Sequence, residues 1–285
     1  MTLRKRLAPF SSLLTLAILA ALAGGCRHTP ASPPDDHSPD PPPVAEAIIV
    51  DHTCTESGRI PSQWLTQACS QLRLHYAHTS HGEQITVGLE RLAAANSRYP
   101  FTMDFCRLPA EAGRLNLLDG QTRDSVCETY VTPDLYWESA AGLALTRHVL
   151  SHYSVTVSGW MWCSQLDDYT AGQVQQYLQA ISTLETEFPN IRFIYFTGNA
   201  QSHEANRRQR NDQIREYCRL NRKALFDFGD LDCWYGGEPY AEDGIPMEHP
   251  RYHGDQAGHT TYASCENKAR AFWWLMARLA GWDGL

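Results

Sequence analysis

Ser80 lies in the run LRLHYAHTSHGEQI, where an apolar segment, Leu72 to Ala77, gives way to a short polar turn and then a helical pattern. A serine on a strand-to-helix turn is exposed, fixed by the backbone and close to helix amides that can hold an anion. That context reads as a nucleophile. The competing reading is a helix cap, with Glu83 completing a capping-box spacing. A serine hydroxyl is a weak nucleophile, so its chemistry needs an imidazole base and an acceptor that orients the imidazole. Histidines cluster twice, as His75, His78 and His81 around the serine and as His249, His253 and His259 near the end. His78 and His81 straddle Ser80 and are candidates to line a substrate pocket, whereas His75 lies within the strand and reads as packed. Imidazoles from two loops could instead converge on a metal ion, although the spacing does not call for one and no cofactor is expected. Trp160 and Trp162 alternate at the end of a strand, one of them a candidate ring for substrate stacking, with core packing as the other fate.

The elements that must position these residues alternate between strand and helix. Candidate strands are 72–77, 154–159, 191–197 and 224–228, and candidate helices are about 171–187, 203–222 and 264–279. Near-continuous apolar strands separated by amphipathic helices predict an α/β fold, a three-layer α/β/α sandwich with a mainly parallel central sheet. Ligands in such sheets bind beyond the carboxyl ends of the strands. Four loops therefore matter: 78–82, 160–165, 198–201 and 229–259.

The order of parts resembles the SGNH (GDSL-type) hydrolases over roughly Leu72 to Trp282, as a divergent, envelope-directed branch similar to uncharacterised bacterial proteins with HTSHG, WxWC and an AFWWLxARLAGWDG ending. The resemblance implies a serine after the first strand, oxyanion-hole donors after later strands, and a catalytic histidine before the last helix. Ser80 and His259, the latter ahead of KARAFWWLMARLAGW, fill the first and last places. HTSHG stands where the superfamily has GDS, and GWMWCSQ stands in place of GxND, leaving Gln165 as the carboxamide there and Asn199 in TGNA as an alternative. DQAGH replaces DxxH, so Asp255 lies one residue farther from His259. Asp255 is the nearest carboxylate to orient His259, and Asp230 and Asp232 compete for that role. The backbone amides of Ser80 and Gly120 are further oxyanion donors, each such donor contributing about 3 kcal/mol in a transition state.

Arg4, Lys5 and Arg6 precede an apolar stretch from about Leu7 to Leu22, too short for an ordinary membrane span and ending in small residues as a secretory signal does. The sequence LAGGC resembles the lipobox of bacterial lipoproteins, with Cys26 as the lipidated N-terminus; a plain secretory signal is the alternative. Arg27 after the cysteine points to an outer membrane. Residues 27–47, rich in Pro, Ser, Asp and His, form a tether, and 48–285 read as one domain without internal repeats.

Nine cysteines less Cys26 leave eight, an even number that predicts disulfides in an exported chain, with Cys54 to Cys69 and Cys106 to Cys127 as the nearest pairs. The absence of a CxxC pair argues against zinc. A net charge of −8 without a basic run argues against nucleic acid as a partner. The sequence thus predicts an envelope-exposed serine esterase or deacetylase acting on a small-molecule or polysaccharide ester, plausible on an acylated carbohydrate. A non-catalytic carbohydrate- or ligand-binding lipoprotein and a metal-dependent hydrolase are the alternatives.

Overall fold

The computed structural model describes residues 46–285. Seven strands form the central sheet: β1 (Ile48–Val50), β2 (Arg73–His78), β3 (Phe101–Phe105), β4 (Leu115–Asp119), β5 (Val157–Met161), β6 (Arg192–Phe196) and β7 (Ala224–Phe226). Their order is β1-β7-β6-β5-β2-β4-β3, and every neighbouring pair is parallel. β2 is central, with all but its first residue buried, so the turn that follows it opens at the middle of the carboxyl edge. The expected α/β sandwich is the observed architecture.

The helices are α1 (Ser62–Gln71), α2 (Glu83–Ala95), α3 (Pro133–Tyr136), α4 (Ala140–His152), α5 (Ala171–Glu187), α6 (Ala205–Leu220), α7 (Phe228–Cys233) and α8 (Tyr262–Leu279). Connections that step one way along the sheet put α1 and α2 together with α8, while those stepping the other way put α5 beside α6, as right-handed crossovers require. Gly88 lets α2 approach α8 closely, since a Cβ there would lie 2.0 Å from the Cys265 carbonyl oxygen. α5 begins with a complete capping box between Thr170 and Gln173 and spans the predicted limits.

The strand expected at 154–159 forms at Val157–Met161 instead, and all five of its residues are buried. A central parallel strand is covered on both faces, so large apolar side chains mark it better than alternation does. Trp160 and Trp162 are fully buried in an aromatic cluster with Trp137 and Tyr177. They are core residues and do not face substrate. The strand expected to reach Phe228 stops at Phe226, because Asp227 accepts a hydrogen bond from the Asp230 amide and starts α7.

Cys106 and Cys127 form a disulfide, tying the end of β3 to the short hairpin after β4. The expected Cys54 to Cys69 bridge is absent, and among the described residues six cysteines are free, five of them buried. An even count sets only an upper limit on pairing, and buried thiols can serve as small apolar residues. Cys26 and the tether lie outside the described residues.

One ion pair ties the last helix to the site's carboxyl edge. Lys268 on α8 and Asp232 on α7 are both buried, with Nζ 2.6 Å from Oδ1, while Asp232 Oδ2 accepts the Ala200 amide at 2.8 Å. Removing one member strands a buried charge. Lys268→Met should therefore lower unfolding stability by about 3–5 kcal/mol, measured by urea denaturation; a loss below 1 kcal/mol would refute this role.

Candidate functional site

Ser80 opens a 3-10 turn, Ser80–Gly82, immediately beyond β2. Glycine is required at 82, where a Cβ would meet His78 Cβ at 2.2 Å. The turn places Ser80 Oγ 3.3 Å from Cys163 Sγ, in the loop after β5, and His81 Nδ1 2.9 Å from the same sulfur. All four loops singled out by the sheet-edge rule meet here. The third supplies Gln201, whose Oε1 lies 2.7 Å from His81 Nε2. The fourth supplies Glu248 and the His259 carbonyl, both of which accept from Gln201 Nε2, at 3.2 Å and 2.8 Å.

This arrangement assigns the histidine tautomer. Gln201 must point its amide nitrogen at Glu248 and the His259 carbonyl, because those atoms only accept hydrogen bonds. Its oxygen then faces His81 Nε2, which must donate. His81 Nδ1 is left to exchange a proton with Cys163, as a base placed against a thiol does.

The electrostatics favour a charged pair. Burial alone would push the Cys163 thiol up, but His81's hydrogen bond and charge, the Ser80 hydroxyl and the Ser164 amide together bring it down to about 6. Burial opposes protonation of His81, and contact with Cys163 and then Gln201 outweighs it, so its pKa is raised. Burial, with Asp232's charge next, likewise raises the Glu248 carboxyl.

The other expected site residues have different partners. Among the described residues no hydrogen bond joins Ser80 to His259, whose ring instead lies 5.0 Å from that of His81. His259 contributes through its backbone: it adopts φ +67°, and its carbonyl fixes Gln201. The preceding Gly258 is bonded by Gln84 Nε2 to its carbonyl at 2.6 Å, which holds this strained turn against the Ser80 segment. Asp255 is 90% exposed and sits 3.8 Å from His259 Nδ1. Asp230 is bound to His52 at 2.5 Å and Asp232 to Lys268, so neither orients His259.

The proposed oxyanion donors are largely occupied. The Gly120 amide donates to the Tyr76 carbonyl at 2.9 Å. Asn199 donates to the Cys163 carbonyl at 2.8 Å and accepts the Gln201 amide at 2.9 Å, so it is a brace between the two loops. Gln165 turns its Oε1 onto the Cys163 amide at 2.6 Å. The Ser164 amide instead faces the Cys163 sulfur.

His78 is buried and paired with Asp119, Nε2 to Oδ1 at 3.1 Å, with Nδ1 donating to the Thr79 carbonyl at 2.7 Å. Burial disfavours its charge, but Asp119's hydrogen bond and charge prevail and raise its pKa. This pair lies in the wall of a cavity of about 460 Å³ that opens beside Ser80.

The two histidine clusters meet only through His81 and His259, and their other members are held elsewhere. His75 is held by Ser158 and the Gly120 carbonyl, and His253 lies at 3.2 Å from the Glu248 carbonyl. The one metal-type trio among the described residues, Asp51, His52 and Asp230, is elsewhere and is already joined by the His52 to Asp230 hydrogen bond. Sequence reasoning missed Cys163, Gln201 and Glu248 as functional groups. The available signal was position, since Cys163 and Gln201 fall in loops after central strands.

Neither a protein-family model nor a curated protein matches the chain. The reactivity of Cys163 is therefore the direct handle on the site. Alkylation by iodoacetamide should be selective for Cys163 and follow a midpoint near pH 6, since the thiolate dominates above its pKa. His81→Ala should move that midpoint upward toward the ordinary thiol range, about 8.5. Peptide mapping of labelled protein across pH checks both, and an unchanged midpoint in the variant would exclude the pair.

Proposed function

We propose that the protein is an exported ester hydrolase that works by covalent catalysis, with Cys163 as nucleophile and His81 as the acid and base. The observation that carries the reading is the 2.9 Å contact between His81 Nδ1 and Cys163 Sγ in a site where Gln201 fixes the opposite ring nitrogen as a donor. A thiolate is an intrinsically strong nucleophile, and an imidazole oriented by a carboxamide can pass its proton to and fro.

In the first half of the reaction the Cys163 thiolate attacks the ester carbonyl carbon and forms a tetrahedral adduct. The Ser164 amide and the Ser80 hydroxyl, both directed at the sulfur, stabilise the thiolate before it attacks and again as it departs. The adduct collapses to a thioester as the C–O bond breaks, and the leaving alkoxide takes the His81 proton. Water then attacks the thioester carbon, giving its proton to His81. Expulsion of the thiolate releases the acid and restores the charged pair. Gln201, itself held by Glu248, orients the imidazole throughout and favours its protonated form.

Ser80 as nucleophile is the second reading. It is favoured by one observation, that Ser80 borders the cavity whereas Cys163 does not. On that reading Cys163 accepts the Ser80 proton. Export, and attachment through a lipid on Cys26, are supported by the basic and apolar N-terminal segment and LAGGC, and an acylated carbohydrate at the cell envelope is an accessible ester.

The two nucleophiles are separated by substitution. With nitrophenyl acetate, Cys163→Ala should lower turnover by at least about a thousandfold, because it removes the attacking atom. Ser80→Ala should cost only about ten- to hundredfold, as loss of one hydrogen bond to a charged sulfur. The reverse ranking would move the nucleophile to Ser80, and parental rates in both variants would defeat the hydrolase reading.

A further inference from the structure

The cavity beside Ser80 has a composition that selects among esters. Its volume, about 460 Å³, lies in the range of pockets that hold small organic ligands. Glu83, Glu90 and Asp119 line it, together with His78, and no lysine or arginine does. The charge of His78 is matched by Asp119, which leaves the two glutamates uncompensated by any lining cation. Burial, and after it the Asp119 charge, raise the Glu90 carboxyl.

Two further features point to what would supply the missing charge. Phe105 and Tyr130 line the cavity and are 56% and 55% exposed, so their rings are open to a ligand. Aromatic faces attract cations. Thr79, almost wholly buried, also lines the cavity, and its Oγ1 lacks a hydrogen-bond partner. Asp119 Oδ1 and Oδ2 lie 3.1 Å and 3.3 Å from His78 Nε2, so the two oxygens share one N–H and the carboxylate can accept further donors. A carboxylate only accepts and the Thr79 hydroxyl can accept, so both suit a ligand that brings N–H donors. A quaternary ammonium has none to give, whereas a primary ammonium has three.

We infer that this cavity recognises a primary ammonium group on the substrate, such as that of an amino sugar, an inference that rests on the ester-hydrolase reading of the adjoining site. Ser80 is shared by the cavity wall and the Cys163 centre, so a ligand anchored at the carboxylates would present its ester toward the sulfur.

Equilibrium dialysis on the full chain at low salt tests recognition without requiring turnover. Glucosamine should bind about tenfold more tightly than glucose or N-acetylglucosamine, which lack the cation. Glu90→Gln should reduce that preference about threefold, the size of a partly exposed ion pair. Glu83→Gln serves as the second variant should Glu90→Gln fail to fold. Equal binding of the three sugars, or a preference that neither glutamine variant reduces, would overturn the inference. Choline competing as well as glucosamine would overturn the assignment to a primary ammonium. A chain that binds glucosamine selectively yet leaves nitrophenyl acetate intact sinks the hydrolase reading alone, and one that hydrolyses it without any such selectivity sinks the cavity inference alone.

Discussion

The orientation of one amide decides the chemistry available at the carboxyl edge. Gln201 Nε2 is held by Glu248 and by the His259 carbonyl, and with its oxygen thereby turned to His81 Nε2 the other imidazole nitrogen can only face Cys163. A glutamine rotated by half a turn would aim N–H at N–H and break the chain of contacts. Glu248 is fixed in its turn by Thr260 Oγ1 at 2.8 Å. The thiol is thus activated by His81, whose orientation is set by Gln201 from the third loop and by Glu248 and the His259 carbonyl from the fourth.

The scaffold behind that amide is built to keep those loops in register. Asn199 bridges the Cys163 carbonyl and the Gln201 amide, and Asn211 on α6 accepts the Gly198 amide at 2.8 Å. Asp232 binds the Ala200 amide while paired with Lys268. Three buried polar side chains therefore hold four consecutive residues, 198 to 201, against α6, α7 and α8. Buried polar groups satisfied in this way specify one arrangement, since any displacement would leave them unpaired. The same residues explain why the carboxamide of Asn199 is unavailable to an oxyanion.

Much of this was legible at the level of topology. Apolar strands separated by helices imply a parallel sheet, and a parallel sheet implies a site at the carboxyl edge, so all four predicted loops enter it. The short edge strands were not legible, because three residues such as Ile48–Val50 carry no period. The candidacy of Cys163 was obscured by the cysteine count. Eight cysteines, an even number, suggest complete pairing, and Cys163 stands apart from the five buried free thiols by its half-buried place in a loop at the sheet edge and by its neighbours there. Gln201 and Glu248 are ordinary polar residues in sequence, and their role depends on a contact across 47 positions. His259 shows the opposite case: a histidine in the expected place whose carbonyl, rather than its ring, makes the decisive bond.

The six residues His78 to Glu83 serve two surfaces at once, which accounts for their unusual polarity at the end of an apolar strand. His78 and Thr79 belong to the cavity wall, His81 points to the thiol, and Ser80 borders both. Gly82 has no side chain because the chain must fold back over His78, and Glu83 returns to the cavity while its Oε2 accepts the Gly258 amide at 3.2 Å. Each histidine flanking Ser80 has a counterpart: Asp119 for His78 and Cys163 for His81. A substitution that alters either histidine would leave a buried anion without its partner on one side of Ser80. The serine would then sit between an intact surface and a disrupted one, so recognition and reactivity can fail separately although the residues that govern them are adjacent in the chain.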